Sequence, residues 1–413
     1  MISARTRSSR AAVARAGGPR LAIIPAAPAQ IGERPRSLTR LPQPVDHPLA
    51  DARYQSPLRY PGAKAGLANA IGILVASATS SKQIDRVELF VEPFAGGAST
   101  SLRLAGSGIV DRILLADADP LVAAFWQVAA SDSDALVDRL YDEHRRFVKP
   151  GGRTALERWD YWRGWRPRRG QSSRSARFDA AMKCLFLNRT TFSGILHGRA
   201  GPIGGRAQKS SYGIGCRFNV DSIAERLFFV GHLYETRRLV DVWCKDWSTT
   251  LDDVPEWYPA LVPDRVFAYL DPPYLEKSET LYQRSFDPAG GYATPPTSDL
   301  GWYDRMTHYR LAEHLRRRMR FRWILSYDAD PALVSDPALY ATGRMTPDDN
   351  EKAMLQVREW RISKRLVTLR YTAAARGSRG PVDELLMTTL PPLTVPADRN
   401  FRRLGRRFLN SVR

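Results

Sequence analysis

Cysteine is scarce. The 413-residue chain has three, Cys184, Cys216 and Cys244, about 30 residues apart and without a CxxC pair. That spacing argues against both a disulfide framework and a zinc knuckle. Uninterrupted apolar runs are missing too, since no window approaches the roughly 20 residues needed to cross a membrane. The N-terminal stretch Leu21–Ala27 is short and broken by Pro25, so no signal peptide is expected. Histidine is sparse, and His144, His232, His308 and His314 show no metal-ligand spacing with cysteines or acids. No metal is expected, nor a Ser/His/Asp triad. Acidic residues are outnumbered 62 to 43 by Lys and Arg, which leaves a net charge of +19. The chain reads as cytoplasmic and reduced, with a polyanion as the first partner to test.

What is present is a globular composition, 43% hydrophobic and 10% aromatic, long enough for roughly two to three domains. The charge is unevenly spread. Residues 1–50 carry +6 and residues 394–413 carry +5, leaving +8 for the body. The first segment is rich in Ala, Pro and Arg without periodicity and reads as a disordered basic tail. The last reads as a second basic tail, solvated or forming a short helix with Phe401, Leu404 and Phe408 between arginines.

Between the tails, buried-strand patterns alternate with helical ones. Strands are expected at Arg86–Val91, Asp111–Ala116, Arg265–Leu270 and Phe321–Ser326, with a closing pair at Lys364–Tyr371 and Leu385–Leu390. Helices are expected at Thr100–Ala105, Leu121–Ala130 and Tyr309–Met319. The pattern implies an α/β fold with a mainly parallel sheet, which binds ligands at the carboxyl ends of its strands. About 130 residues separate the second strand's helix from the Arg265 strand, too many for one crossover. The expected division is therefore a catalytic domain of 51–130 and 261–393, interrupted by a mostly helical inserted lobe, 131–260.

Two constellations carry chemistry. The turn Glu92-Pro-Phe-Ala-Gly-Gly97 follows a buried strand, so Gly96 and Gly97 allow close approach to the backbone and the next helix offers free N–H groups. Alone it also fits an ordinary strand-to-helix turn, because it lacks both G-x-G-x-x-G and a Gly-Lys-Ser/Thr ending. Asp117, one strand later, is placed to accept from a ribose diol, which points to a nucleoside-bearing cofactor. The second constellation is Asp271-Pro-Pro-Tyr274. Two prolines must stop the strand. An acid and a backbone carbonyl can then accept from one –NH2 group beside a tyrosine stacking face, a combination suited to a planar base.

These residues resemble the Dam-type (D12 class) DNA adenine-N6 methyltransferases. The resemblance spans about residues 56–390. It rests on Leu58-Arg-Tyr-Pro-Gly-Ala-Lys64, Val91-Glu-Pro-Phe-Ala-Gly-Gly97, Leu115-Ala-Asp117, Phe186-Leu-Asn-Arg-Thr190 with Phe192-Ser-Gly194, and Asp271-Pro-Pro-Tyr274. It implies a Rossmann-like methyltransferase fold and S-adenosylmethionine as cofactor. By this resemblance Tyr60, Lys64, Glu92, Pro93, Phe94, Gly96, Gly97, Asp117 and Asp271 contact the cofactor. Asp271, Pro272, Pro273 and Tyr274 form the catalytic motif, acting on a flipped adenine in double-stranded DNA. A cognate restriction endonuclease is a possible companion, a bacterial or phage setting is implied, and no oligomer is required. Cytosine-N4 or RNA amino methylation, or a non-catalytic DNA binder on the same fold, are the alternatives.

DNA reading is expected in the inserted lobe. Residues 158–177 hold seven arginines and four aromatics. Arg166, Arg168 and Arg169, beside Pro167 and Gly170, are expected on phosphates. Trp159 and Trp162 fit base stacking or a core-facing helix equally well. Asn188, Arg189, His197, Arg199 and Lys209, in and before the Gly-rich loop 194–215, complete the DNA-contact set implied by the resemblance.

Overall fold

The computed structural model describes residues 42–59, 65–168, 171–197, 200–273, 300–347, 359–370 and 381–409, together with Ile31 and Leu38. Seven strands form one sheet: β1 Leu89–Glu92, β2 Ile113–Ala116, β3 Leu239–Trp243, β4 Val266–Leu270, β5 Arg322–Asp328, β6 Ser363–Arg370 and β7 Pro381–Thr388. Their order is β3-β2-β1-β4-β5-β7-β6. The first five pair in parallel, and β7 runs antiparallel between β5 and β6. This is a Rossmann-like methyltransferase arrangement, with the expected closing hairpin.

Nearly continuous apolar runs mark the parallel strands, as burial on both faces requires. Side-chain alternation then separates two cores. Phe90, Ile113, Leu115, Phe267 and Ile324 face one cluster. Leu89, Val91, Leu114, Ala268 and Trp323 face the other. The first face is covered by helices α1 Ala65–Ser80, α2 Ser99–Gly106 and α3 Pro120–Ser131. Asp119 caps α3 by accepting from Leu121 N–H at 2.9 Å, and Pro120 takes the first helical position.

After α3 the chain makes its helical excursion: α4 Ser133–Glu143, α5 Gly152–Gly164, α6 Ser173–Thr190 and α7 Val220–Glu235. This lobe has no core of its own. Trp159, Trp162, Trp165, Phe186 and Phe218 are buried in the same cluster as α1–α3. The inserted lobe also ends earlier than expected. β3 lies inside 131–260 yet pairs with β2 at the sheet edge, and α8 Trp247–Trp257 then packs into the second core. Helix α9, Leu300–Arg317, contributes Leu311, Ala312 and Leu315 to that core.

The tails need correcting as well. Residues 42–50 are docked rather than disordered: Arg238 Nε donates to Gln43 O at 3.0 Å and Gln55 Nε2 to Ala50 O at 2.8 Å. Upstream, Ile31 N–H donates to Asp241 at 3.0 Å. At the other end, Leu366 and Arg402 exchange both backbone hydrogen bonds, at 2.8 and 2.9 Å, and Phe401 is buried. The residues between the arginines are apolar, so the segment is pinned by its hydrophobic positions, while only Arg406–Leu409 turns into a helix.

Candidate active site

Three carboxylates stand at the carboxyl ends of three neighbouring strands. Glu92 ends β1, Asp117 follows β2 and Asp271 follows β4. The glycine turn lies between the first two. Ala95 N–H donates to Ala116 O at 2.9 Å, and Gly96 N–H donates to Asp117 Oδ2 at 2.9 Å. Gly96 sits at φ +42°, and its carbonyl accepts from Trp126 Nε1 at 2.9 Å. The turn is thus held on both sides, by the next strand's acid and by the core of α3. Pro93 and Gly97 are buried beside it, while Phe94 is partly exposed. Among the expected cofactor residues the structure brings together Glu92, Pro93, Phe94, Gly96, Gly97 and Asp117. Tyr60, Lys64 and Tyr274 lie outside the described residues.

Burial sets the charge state of this cluster. Glu92 is pushed up to about 8, mainly by burial and further by the charges of Asp271 and Asp117, against the opposing hydrogen bond from Ser101 N–H at 3.2 Å. Asp117 is pushed up to about 7, again by burial first and then by Asp119, although Asp119 and Gly96 N–H groups favour its ionised form. Such raised carboxyls at a sheet edge mark a site built for a ligand that donates hydrogen bonds or brings positive charge.

Asp271 is oriented from behind. Pairing of β4 with β5 stops at Leu270, and the residues that follow, Pro272 and Pro273, bring no N–H to extend it. Ser326, on β5, donates its only proton to Asp271 Oδ1 at 3.0 Å. Tyr269 OH lies 3.0 Å from the same Ser326 Oγ and must therefore be the donor there. Burial holds the Tyr269 phenol far above its ordinary value, so it remains a neutral donor. Residues 269, 326 and 271 thus form a relay of orientation that no sequence motif announced. Replacing Ser326 with alanine is expected to lower turnover about 10- to 100-fold, the worth of a hydrogen bond to a charged group. The Michaelis constants for both substrates should stay constant, which steady-state kinetics will check.

Residues 60–199 match the family model for D12 class N6 adenine-specific DNA methyltransferases. The match takes in the glycine turn, Asp117 and α6, and it stops before Asp271. No curated protein matches the chain.

The expected DNA contacts divide into four groups. Arg166, Arg168 and Lys209 are exposed, as contacts must be. Arg169 and Arg199 lie outside the described residues. Asn188 and Arg189 are buried and need reassignment. Asn188 accepts from Arg59 N–H at 2.6 Å and donates to Arg59 O at 2.9 Å, while Arg189 Nε donates to Pro57 O at 2.9 Å. They clamp the segment that leads into residues 60–64. Gly194 completes the clamp at φ +77°, where a Cβ would collide with the Arg59 carbonyl. His197 is paired with Asp119, the α3 cap two residues after Asp117, which brings the Gly-rich loop against the cofactor edge. Trp159 and Trp162 are core residues: their indole N–H groups donate to Thr191 Oγ1 at 3.0 Å and Glu143 Oε2 at 3.3 Å.

Proposed function

We propose that the protein transfers a methyl group from S-adenosylmethionine to the N6 amino group of an adenine flipped out of double-stranded DNA. The observation that carries this reading is the oriented Asp271 carboxylate at the end of β4, set beside the Glu92–Gly97 turn and Asp117. The D12 class match over residues 60–199 supports adenine as the base and DNA as the substrate.

The described residues fit the cofactor. Asp117 uses one acceptor site on each oxygen for Gly96 and Asp119 N–H, which leaves lone pairs for a ribose diol. The positive-φ Gly96 allows close backbone approach, and Glu92 forms an acidic floor. When bound, S-adenosylmethionine supplies an electrophilic methyl on a sulfonium. The chain's task is to present the nucleophile. The N6 lone pair is delocalised into the adenine ring, so accepting both N6 protons, at the Asp271 carboxylate and the Pro272 carbonyl, favours a pyramidal nitrogen with its lone pair exposed. Holding the amine in line recovers up to about 7–11 kcal/mol of barrier through orientation alone. Tyr274 stacks on the extruded base and offsets part of the unstacking cost of a few kcal/mol.

Asp117 supplies a pH signature. Free, it holds its proton up to about pH 7. A ribose diol donating to the carboxylate favours the ionised form. Cofactor affinity should therefore rise with pH through about 7, with net proton release near neutrality. Calorimetric titration in buffers of different ionisation enthalpy will measure that release, and Asp117→Asn should abolish it.

The decisive experiment for the function is to incubate duplex DNA with the protein and cofactor, digest it to nucleosides and identify the product by mass spectrometry. N6-methyladenine is expected. N4-methylcytosine, methylation of RNA alone, or no product would each replace this reading with one of its rivals.

A further inference from the structure

Three arginines from separate parts of the chain meet at residues 56–59, and a fourth, Arg217, lies near enough for its charge to reach Arg59. Arg226, on α7, donates to Ser56 O at 3.2 Å. Arg189, on α6, is buried and donates to Pro57 O at 2.9 Å. Arg59 belongs to the segment itself, and its backbone is clamped by Asn188, so its side chain departs from a fixed point at the surface. Arg217 is exposed beside Phe218, which is buried against Phe186, one turn before Arg189 on α6.

The cluster is short of negative charge. Among the described residues no carboxylate forms an ion pair with Arg59, Arg189, Arg217 or Arg226, although exposed Glu225 lies near enough for its charge to reach Arg226. Other arginines are neutralised by acids: Arg158 pairs with Glu143, Arg86 with Asp111 and Arg265 with Glu88. The repulsion is felt within the cluster. Burial lowers Arg59, and the charges of Arg217 and Arg226 lower it further. Arg189 is pushed down to about 9, by burial and then by Arg226 and Arg59. The acceptors that Arg189 and Arg226 find are the neutral carbonyls of Pro57 and Ser56.

We propose that Arg59, Arg217 and Arg226 form a seat for phosphates of the DNA duplex backbone, with Arg189 as its buried support. This rests on the function proposed above. Guanidinium forks match phosphate oxygens, and contacts of this kind fix register without reading sequence. A duplex fits better than a small anion because the cations are spread over a loop, a helix and the 56–59 segment. Exposed Lys209 lies on the same loop as Arg217, while Arg206 there is paired with Asp160 at 2.8 Å.

Binding of the full-length protein to a duplex, measured as a function of salt, tests the seat. Each phosphate contact contributes about 0.9 to the slope of log affinity against log salt. Arg217→Gln should reduce the slope by about 1, and Arg59→Gln with Arg217→Gln by about 2. Arg217 is the lead variant because its side chain is exposed and forms no hydrogen bond or ion pair among the described residues, so thermal unfolding should be unchanged. An unaltered slope in the double variant, in a parent that binds and methylates DNA, overturns the seat alone. A parent that neither binds nor methylates duplex overturns the function and the seat together.

Discussion

Asp271→Ala is expected to lower methyl transfer by about 10³-fold or more, within the range a positioned proton acceptor contributes, while leaving duplex affinity essentially intact. The physical reason is that, in the proposed mechanism, the carboxylate would accept from the amine as the lone pair is released and would contribute little to holding the phosphodiester backbone. The structure sharpens the expectation. Asp271 is held through Ser326, which Tyr269 holds in turn, on adjacent buried strands. Alanine leaves that frame standing and removes only the acceptor, so the variant should fold. A tritiated-methyl transfer assay beside a duplex-binding titration will check both halves. Substantial transfer by Asp271→Ala would remove the acid from the chemistry.

The largest expected effect on stability belongs to Glu143. This fully buried carboxylate receives Arg158 Nε at 2.7 Å, Trp162 Nε1 at 3.3 Å and Arg139 Nε at 3.3 Å, and a second Arg158 nitrogen lies against its other oxygen. Arg158 also lies 4.3 Å from the ring centre of Phe147 and 4.2 Å from that of Tyr161. Glu143→Ala strands a guanidinium among aromatic rings and should cost about 3–5 kcal/mol. Adding Arg158→Met removes the orphaned charge and should recover at least about 1 kcal/mol of that loss. Denaturant unfolding of parent, single and double variants will show it. A double variant no better than the single one would mean that the lobe depends on packing around Arg158 rather than on the pair.

Much of the architecture was legible because burial on both faces of a parallel strand leaves a compact apolar run. β1, β2, β4 and β5 were found within a few residues, and the acids at their carboxyl ends located the candidate site. β3 was missed for a physical reason. Its Leu239–Trp243 run is interrupted by Asp241, which looks incompatible with a buried strand. Tertiary structure satisfies that acid with Ile31 N–H, Val242 N–H and Trp243 Nε1. The orientation of Asp271 by Ser326 was equally invisible, since the two are 55 residues apart and meet only across the sheet.

Residue chemistry by itself determined the strand pattern, the glycine turn, the acid placement and the positive balance, because each follows from local sequence and periodicity. Tertiary structure decided which positive charges face outward. Asn188 and Arg189 are DNA contacts by the resemblance and interior struts in the fold. Arg217 and Arg226 have no role assigned in the sequence, and only the fold brings Arg226 onto the Ser56 carbonyl beside Arg59. A guanidinium can neutralise a buried carboxylate, support a backbone carbonyl or await a phosphate, and only the partners that folding places beside it distinguish these roles.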